Sequence, residues 1–117
     1  MAFKFQSHVV YEQLSFFAKD IFVLTGRLPN YESNGLIQQI RNLGSGLLQD
    51  FAQGYIRTEH SDPKVALDKC IISVAKIASL IDLSCQLGYI DHPTHTKYNL
   101  TCDEITKRLY DAQKTQK

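Results

Sequence analysis

The sequence predicts an all-α protein, an antiparallel up-down-up-down four-helix bundle, and three observations predict it. Apolar residues recur at alternating steps of three and four along four separate segments, the seam spacing of bundle helices. Only 6 glycines and 3 prolines interrupt 117 residues, and each proline falls at the end or the start of such a segment. No segment carries the two-residue alternation of a half-buried strand.

The first helix is placed at about residues 7–28, where Val10, Leu14, Phe17, Ile21, Leu24 and Leu28 form the seam. Pro29 ends it, because its ring clashes with a preceding helical turn and drives its neighbour toward extended geometry. Tyr31-Glu32-Ser33-Asn34 supplies cap candidates for a second helix over about 33–57, with the seam Ile37, Ile40, Gly44, Leu47, Phe51 and Gly54. Gly44-Ser45-Gly46 is a local conflict, since each glycine costs about 1 kcal/mol against alanine inside a helix. The apolar phase continues across it, which points to the close approach of a neighbouring helix rather than to a break.

Ser61-Asp62-Pro63 opens a third helix over about 62–88, and Gly88 stands where a left-handed cap belongs. This helix is apolar on two opposite faces. Leu67, Cys70, Ile71, Val74, Ile77, Ala78, Ile81 and Cys85 form the core stripe, and Val65, Ile72, Leu80, Leu83 and Leu87 form a second one. With Lys69 and Lys76 set among it, the second stripe is expected to be covered by another copy of the chain or by a partner. A fourth helix over about 93–114 carries the thin stripe Tyr98, Thr101, Ile105, Leu109 and Ala112. Its start has two candidates, Pro93 and the capping-box pattern Thr101-Cys102-Asp103-Glu104. Connections this short make successive helices antiparallel.

Residues 1–117 fit one domain in length, and 44% hydrophobic with 21% charged residues is the composition of a folded chain, not of a disordered one. Cys70, Cys85 and Cys102 are odd in number and are expected to be reduced thiols, Cys70 and Cys85 facing the core. With neither a signal-peptide pattern nor an apolar run long enough to span a bilayer, a cytoplasmic, non-membrane protein is expected. Thirteen basic against twelve acidic side chains leave a net charge of +1, so bulk charge does not argue for nucleic acid.

Local patches are the remaining candidates. Arg41, in the middle of the second helix, is read first as a structural pair and second as a phosphate contact. Arg57, Lys64, Lys69 and Lys76 are candidates for a basic strip along the end of helix two and one side of helix three, with Asp62 and Asp68 close by. His92-Pro93-Thr94-His95 reads as a polar loop, since two histidines three apart still need further ligands to hold zinc. The six tyrosines are spread along the chain and are expected to pack at helix ends or interfaces rather than to stack on bases. No catalytic, cofactor-binding or metal site emerges, and no cofactor or small-molecule substrate is expected.

Phe3-Lys4-Phe5, Val10-Tyr11, Leu28-Pro29 with Glu32 and Gly35-Leu36, Gln39-Ile40-Arg41, Ala52-Gln53-Gly54, Arg57 and Leu87-Gly88-Tyr89-Ile90 resemble, in order, the four helix bundle protein family. Its members are also called intervening-sequence proteins, being encoded within insertions in bacterial large-subunit ribosomal RNA genes. In RNLGSGLLQDFAQG and at Lys76 the chain departs from the family pattern, so polar roles there do not carry over. The resemblance implies a ring-like homo-oligomer, a pentamer, and a distant relation to the accessory protein of diversity-generating retroelements. The function expected is thus a non-enzymatic oligomeric module that binds a macromolecular partner. The alternative is a nucleic-acid-associated accessory protein that works with RNA or a reverse transcriptase.

Overall fold

The computed structural model describes residues 3–115. They form an up-down-up-down bundle of α1 (Val9–Thr25), α2 (Leu36–Tyr55), α3 (Pro63–Gln86) and α4 (His92–Lys114), with 3-10 turns at Lys4–Ser7 and Asn30–Glu32. Each helix packs most closely on its neighbours in sequence, while α1 meets α4 along a thinner seam and α1 and α3 lie on a diagonal. The long dimension of 45 Å reflects helices such as α3, whose 24 residues span about 36 Å at 1.5 Å each.

The helix ends differ from the sequence reading for local reasons. Lys4–Ser7 is a separate 3-10 turn, and His8 caps α1, its Nδ1 accepting from the Val10 amide at 3.1 Å. At the other end α1 stops at Thr25 rather than near residue 28. Pro29 keeps Leu28 out of helical geometry, so the amides of Gly26, Arg27 and Leu28 close three-residue turns instead. Leu28 remains buried. For α2, neither Ser33 nor Asn34 acts as the cap. The carboxylate of Glu32 reaches the Leu36 amide at 3.2 Å and also accepts from the Tyr89 hydroxyl at 2.8 Å, tying the start of α2 to the α3–α4 turn.

Asp62 caps α3 through the amides of Lys64 and Val65 (3.1 and 3.3 Å). At its far end Gly88 takes φ +78°, and the amides of Gly88 and Tyr89 return to the carbonyls of Cys85 and Ser84, a Schellman arrangement. Of the two candidate starts for α4 the earlier one holds: Asp91 accepts from the Thr94 amide at 2.9 Å, with Pro93 in the first turn where its missing N–H is harmless. His92-Pro93-Thr94-His95 is therefore helix, not loop. Thr101-Cys102-Asp103-Glu104 lies inside α4, and the seam runs Tyr98, Cys102, Ile105, Leu109, with Cys102 in place of Thr101.

The core is built from Leu14, Ile21, Leu24, Ile40, Leu47, Phe51, Leu67, Cys70, Val74, Ile77, Ile81 and Leu109, all essentially solvent-free. Ile71, Ala78 and Cys85 sit at its margin, half-buried, so Cys85 is not the core thiol that the stripe suggests. Among the described residues two polar side chains are fully enclosed, and both are satisfied. Thr25 donates to the Phe22 carbonyl (2.6 Å) and Ser84 to that of Leu80 (2.8 Å).

The glycine run of α2 does not mark the close crossing that its phase suggests. A Cβ at Gly46 would meet nothing within 4 Å, and one at Gly44 would touch Phe22 and Ile21 at ordinary distances of 3.6 and 3.9 Å. The close approach is at Gly54, where a Cβ would overlap that of Ala66 and lie 3.2 Å from the Asp62 carbonyl. Two residues beyond the end of α2, Arg57 holds φ +66°, a left-handed geometry that suits glycine and strains a side chain.

Four substitutions separate these positions in urea melts. Gly46→Ala and Gly44→Ala are expected to stabilise by up to about 1 kcal/mol each, since alanine is the better helix former. Gly54→Ala is expected to destabilise by about 1–3 kcal/mol, the cost of overpacking a contact with no room. Arg57→Gly is expected to stabilise by about 1 kcal/mol through relief of the left-handed strain.

His8 gives a pH dependence. Burial holds its imidazole below the ordinary value of 6.5, and its Nδ1 caps α1 only while unprotonated. A depressed histidine contributes stability that is complete above the unfolded value and is lost as pH falls through the folded one. The thermal midpoint should therefore drop as pH is lowered from about 6.5 toward 5, and His8→Asn, a cap with no proton to gain, should show a smaller drop.

Candidate binding surfaces

On the outer side of α3, Val65, Ile72, Leu83 and Leu87 are 45–55% exposed, and Leu80 is half-buried at the edge of the core. Lys69 and Lys76 rise from the same stripe, at angles within about 40° of Val65 at 100° per residue. Next to it, Leu43, Lys76, Leu80 and Gln39 line an open groove of about 420 Å³ between α2 and α3.

A second apolar face was not read from the sequence. Val9, Phe16 and Val23 of α1 are 61–62% exposed and recur every seven residues, one above another on the outer side of the helix. The seven-residue spacing was visible, but the stronger seam one residue along drew the reading to the core. Glu12 and Asp20 flank this face at about 40° on either side of Phe16, with Lys19 farther out. Because α1 and α3 are diagonal, the two faces point away from each other.

The five cations singled out from the sequence do not form one strip. Arg41 Nε donates to Thr25 Oγ1 at 2.7 Å, and its guanidinium lies 5.3 Å from the Phe22 ring centroid, so it clamps α2 to α1. Lys69 faces Asp50 and Asp62 across the α2–α3 junction. Lys76 lies beside Leu80, while Lys64 is turned about 140° from Lys69 at 100° per residue, on the α4 side, where its carbonyl accepts from Gln113. Arg57 stands apart from all four.

Arg57 belongs to a different constellation. The turn at Lys4–Ser7 folds against the end of α2, and Lys4, Phe5, Ser7, His8, Tyr55 and Arg57 line a groove of about 300 Å³. An adjoining one of about 240 Å³ adds Phe3 and Ile56. Behind them the rings are stacked: Phe51 on Tyr55 (4.1 Å, 6°), Phe3 on Phe5 (5.5 Å), and His8 edge-on to both Phe51 and Tyr55 (5.3 and 5.1 Å). Burial pushes the Tyr55 hydroxyl above its usual range. The aromatics are therefore clustered in space although spread in sequence, and Phe3-Lys4-Phe5 was the local signal for the cluster.

The remaining candidates resolve as packing. His95 Nε2 lies 2.6 Å from Asp82 Oδ1, and His92 Nδ1 lies 3.7 Å from Cys85 Sγ, so both histidines bridge α4 to α3 without converging. Among the described residues no three ligating side chains are grouped for a metal. Burial pushes the Cys70 and Cys102 thiols up to about 12, which makes them poor nucleophiles. Among the described residues no helix is long and apolar enough to cross a membrane.

No curated protein matches the chain, and no solved structure does. A match to the family described as 23S rRNA-intervening sequence protein spans residues 6–111, from the 3-10 turn to the last turns of α4. The four-helix architecture and a match over nearly the whole chain agree, and this protein belongs to the 23S rRNA-intervening sequence protein family.

Proposed function

We propose that this protein is a non-enzymatic, cytoplasmic assembly module that joins to copies of itself and presents the resulting ring to a macromolecular partner. The observation that carries the reading is the pair of opposed apolar faces, Val65, Ile72, Leu83 and Leu87 on α3 and Val9, Phe16 and Val23 on α1. Charge favours joining one kind to the other. The α3 face carries Lys69 and Lys76, with Asp68 at its margin, and the α1 face carries Glu12 and Asp20, with Lys19 at its margin. Two α3 faces packed on each other would bring like charges together. A contact between unlike faces leaves one face of each kind unused at either end of a pair, so it propagates until the rotation closes a ring. The pentamer implied by the family resemblance is such a closed form.

A second reading, association with nucleic acid, is supported by the 23S rRNA in the family's name and by one observation: the grooves lined by Lys4, Arg57 and aromatic rings contain no acidic side chain.

Mass measurement by light scattering at micromolar concentration tests the first reading. Wild type is expected to be oligomeric, and Phe16→Glu and Leu83→Glu are each expected to be smaller with helicity retained. Burying each large aliphatic is worth about 1.5–3 kcal/mol. Mixed in equal amounts, the two variants are expected to form a heterodimer, because Phe16→Glu keeps an intact α3 face and Leu83→Glu an intact α1 face. A monomeric wild type would end the reading, and a mixture showing no heterodimer would end the unlike-face geometry.

A further inference from the structure

We infer that the end of the bundle formed by the Lys4–Ser7 turn and the C-terminus of α2 is a binding site for a single-stranded polynucleotide, taking its phosphates on Lys4 and Arg57 and its bases against the aromatic rings. The inference rests on the nucleic-acid reading and gives it a place on the molecule.

Four observations converge there. Lys4 and Arg57 line both adjoining grooves, of about 300 and 240 Å³, and no acidic residue lines either. Among the described residues neither cation takes part in a salt bridge, as is true of most of the chain's lysines and arginines, so what sets these two apart is their place beside the aromatic rings. Phosphate recognition without base specificity asks for such uncommitted cations.

The second observation is the aromatic lining. Phe3, Phe5 and Tyr55 border the same grooves, Phe3 half-exposed and stacked on Phe5, Tyr55 backed by Phe51. Every base has a π-face, so rings of this kind accept successive bases with little sequence preference. The third is His8, whose Nδ1 is occupied by the Val10 amide and whose ring is edge-on to Phe51 and Tyr55. It completes the wall as an aromatic plate.

The fourth is the backbone at Arg57. Its φ of +66° is a strained geometry for any residue with a side chain, and it places the arginine over the groove beside Lys4. Strain of this kind at a groove is where a binding role is to be sought. The cations and rings recognise the phosphate chain with its bases, which RNA and DNA single strands share.

Fluorescence anisotropy with a labelled ten-residue uridine strand, read against salt, tests the assignment. Wild type is expected to bind, with log affinity falling linearly in log salt. Arg57→Gly and Lys4→Gln are each expected to weaken binding and to lower the slope by roughly 0.7, one phosphate contact each. Arg57→Gly suits the backbone it replaces, so loss of fold does not confound it. Phe3→Ala is expected to weaken binding roughly 5- to 100-fold with the slope unchanged, because stacking releases no counterion. Lys107→Gln is expected to change nothing. A thymidine deoxystrand of equal length is expected to bind within a few-fold of the RNA, and uridine monophosphate to compete better than inorganic phosphate. Failure of the wild type to bind either strand at low salt would overturn the nucleic-acid reading and this site with it. Binding unchanged by Arg57→Gly and Lys4→Gln would overturn the site alone. Equal competition by inorganic phosphate and the nucleotide would overturn the base-stacking assignment, and a large preference for RNA over DNA would overturn recognition common to both strands.

Discussion

A methyl group has no place at position 54, and much of the architecture depends on that. Gly54 lies against Ala66 and the Asp62 carbonyl so closely that an added Cβ would overlap Ala66 outright. The contact draws the last turn of α2 against the first turn of α3, and these helices form the most intimate pair in the bundle. Small residues on both sides let two backbones approach where larger ones would hold them apart. Once that crossing is set, the remaining turns of α2 and α3 interdigitate through Leu47, Phe51, Leu67, Cys70 and Val74. It also fixes where the chain leaving α2 emerges. Arg57 is carried to the end of the bundle, and α3 is rotated so that Cys70, Val74 and Ile77 point inward and Ile72 and Leu83 outward.

The packing logic of the four helices was legible because it is periodic. Steps of three and four need no knowledge of the partner helix, so Leu14, Ile21, Ile40, Leu47, Ile77 and Leu109 were identifiable as core from their own neighbours. The second face of α3 was legible for the same reason. What failed was anything set by the distance between two segments. Gly44, Gly46 and Gly54 look alike in a string of letters, and only the position of Ala66 distinguishes the one that needs to be glycine. At α2 the capping stretch was legible but not its acting member: Ser33 and Asn34 are the more usual residue types, yet it is Glu32 that reaches the Leu36 amide. The start of α4 was underdetermined because Pro93 and the Thr101 box both satisfy the local rule.

The candidate sites divide along the same line. Exposed apolar residues on a helix are periodic and visible, as on α3. The aromatic end is assembled from the 3-10 turn, the start of α1 and the last turn of α2, so no single stretch of sequence contains it. The apparent basic strip breaks up for the opposite reason. Arg57, Lys64, Lys69 and Lys76 are near in sequence, but the loop carries Arg57 to the end of the bundle and the helical twist turns Lys64 away from the stripe that Lys69 and Lys76 share. Arg41 meets the buried hydroxyl of Thr25 and the Phe22 ring rather than a carboxylate, partners that no pattern of charges along the chain announces.

The thin seam between α1 and α4 bears on how the chain reaches this structure. Every close helix pair joins consecutive elements, so the ordering of the α2–α3 and α3–α4 hairpins closes only short loops. Among the packed helix pairs the α1–α4 contact joins segments farthest apart in the chain, with Tyr98 reaching the Asp20 carbonyl and, just past α1, Arg27 reaching Thr94. Folding is therefore expected to zip local hairpins first and to close this seam late. The same seam is the expected place for native-state opening, with the slowest-exchanging amides in the middle of α2 and α3.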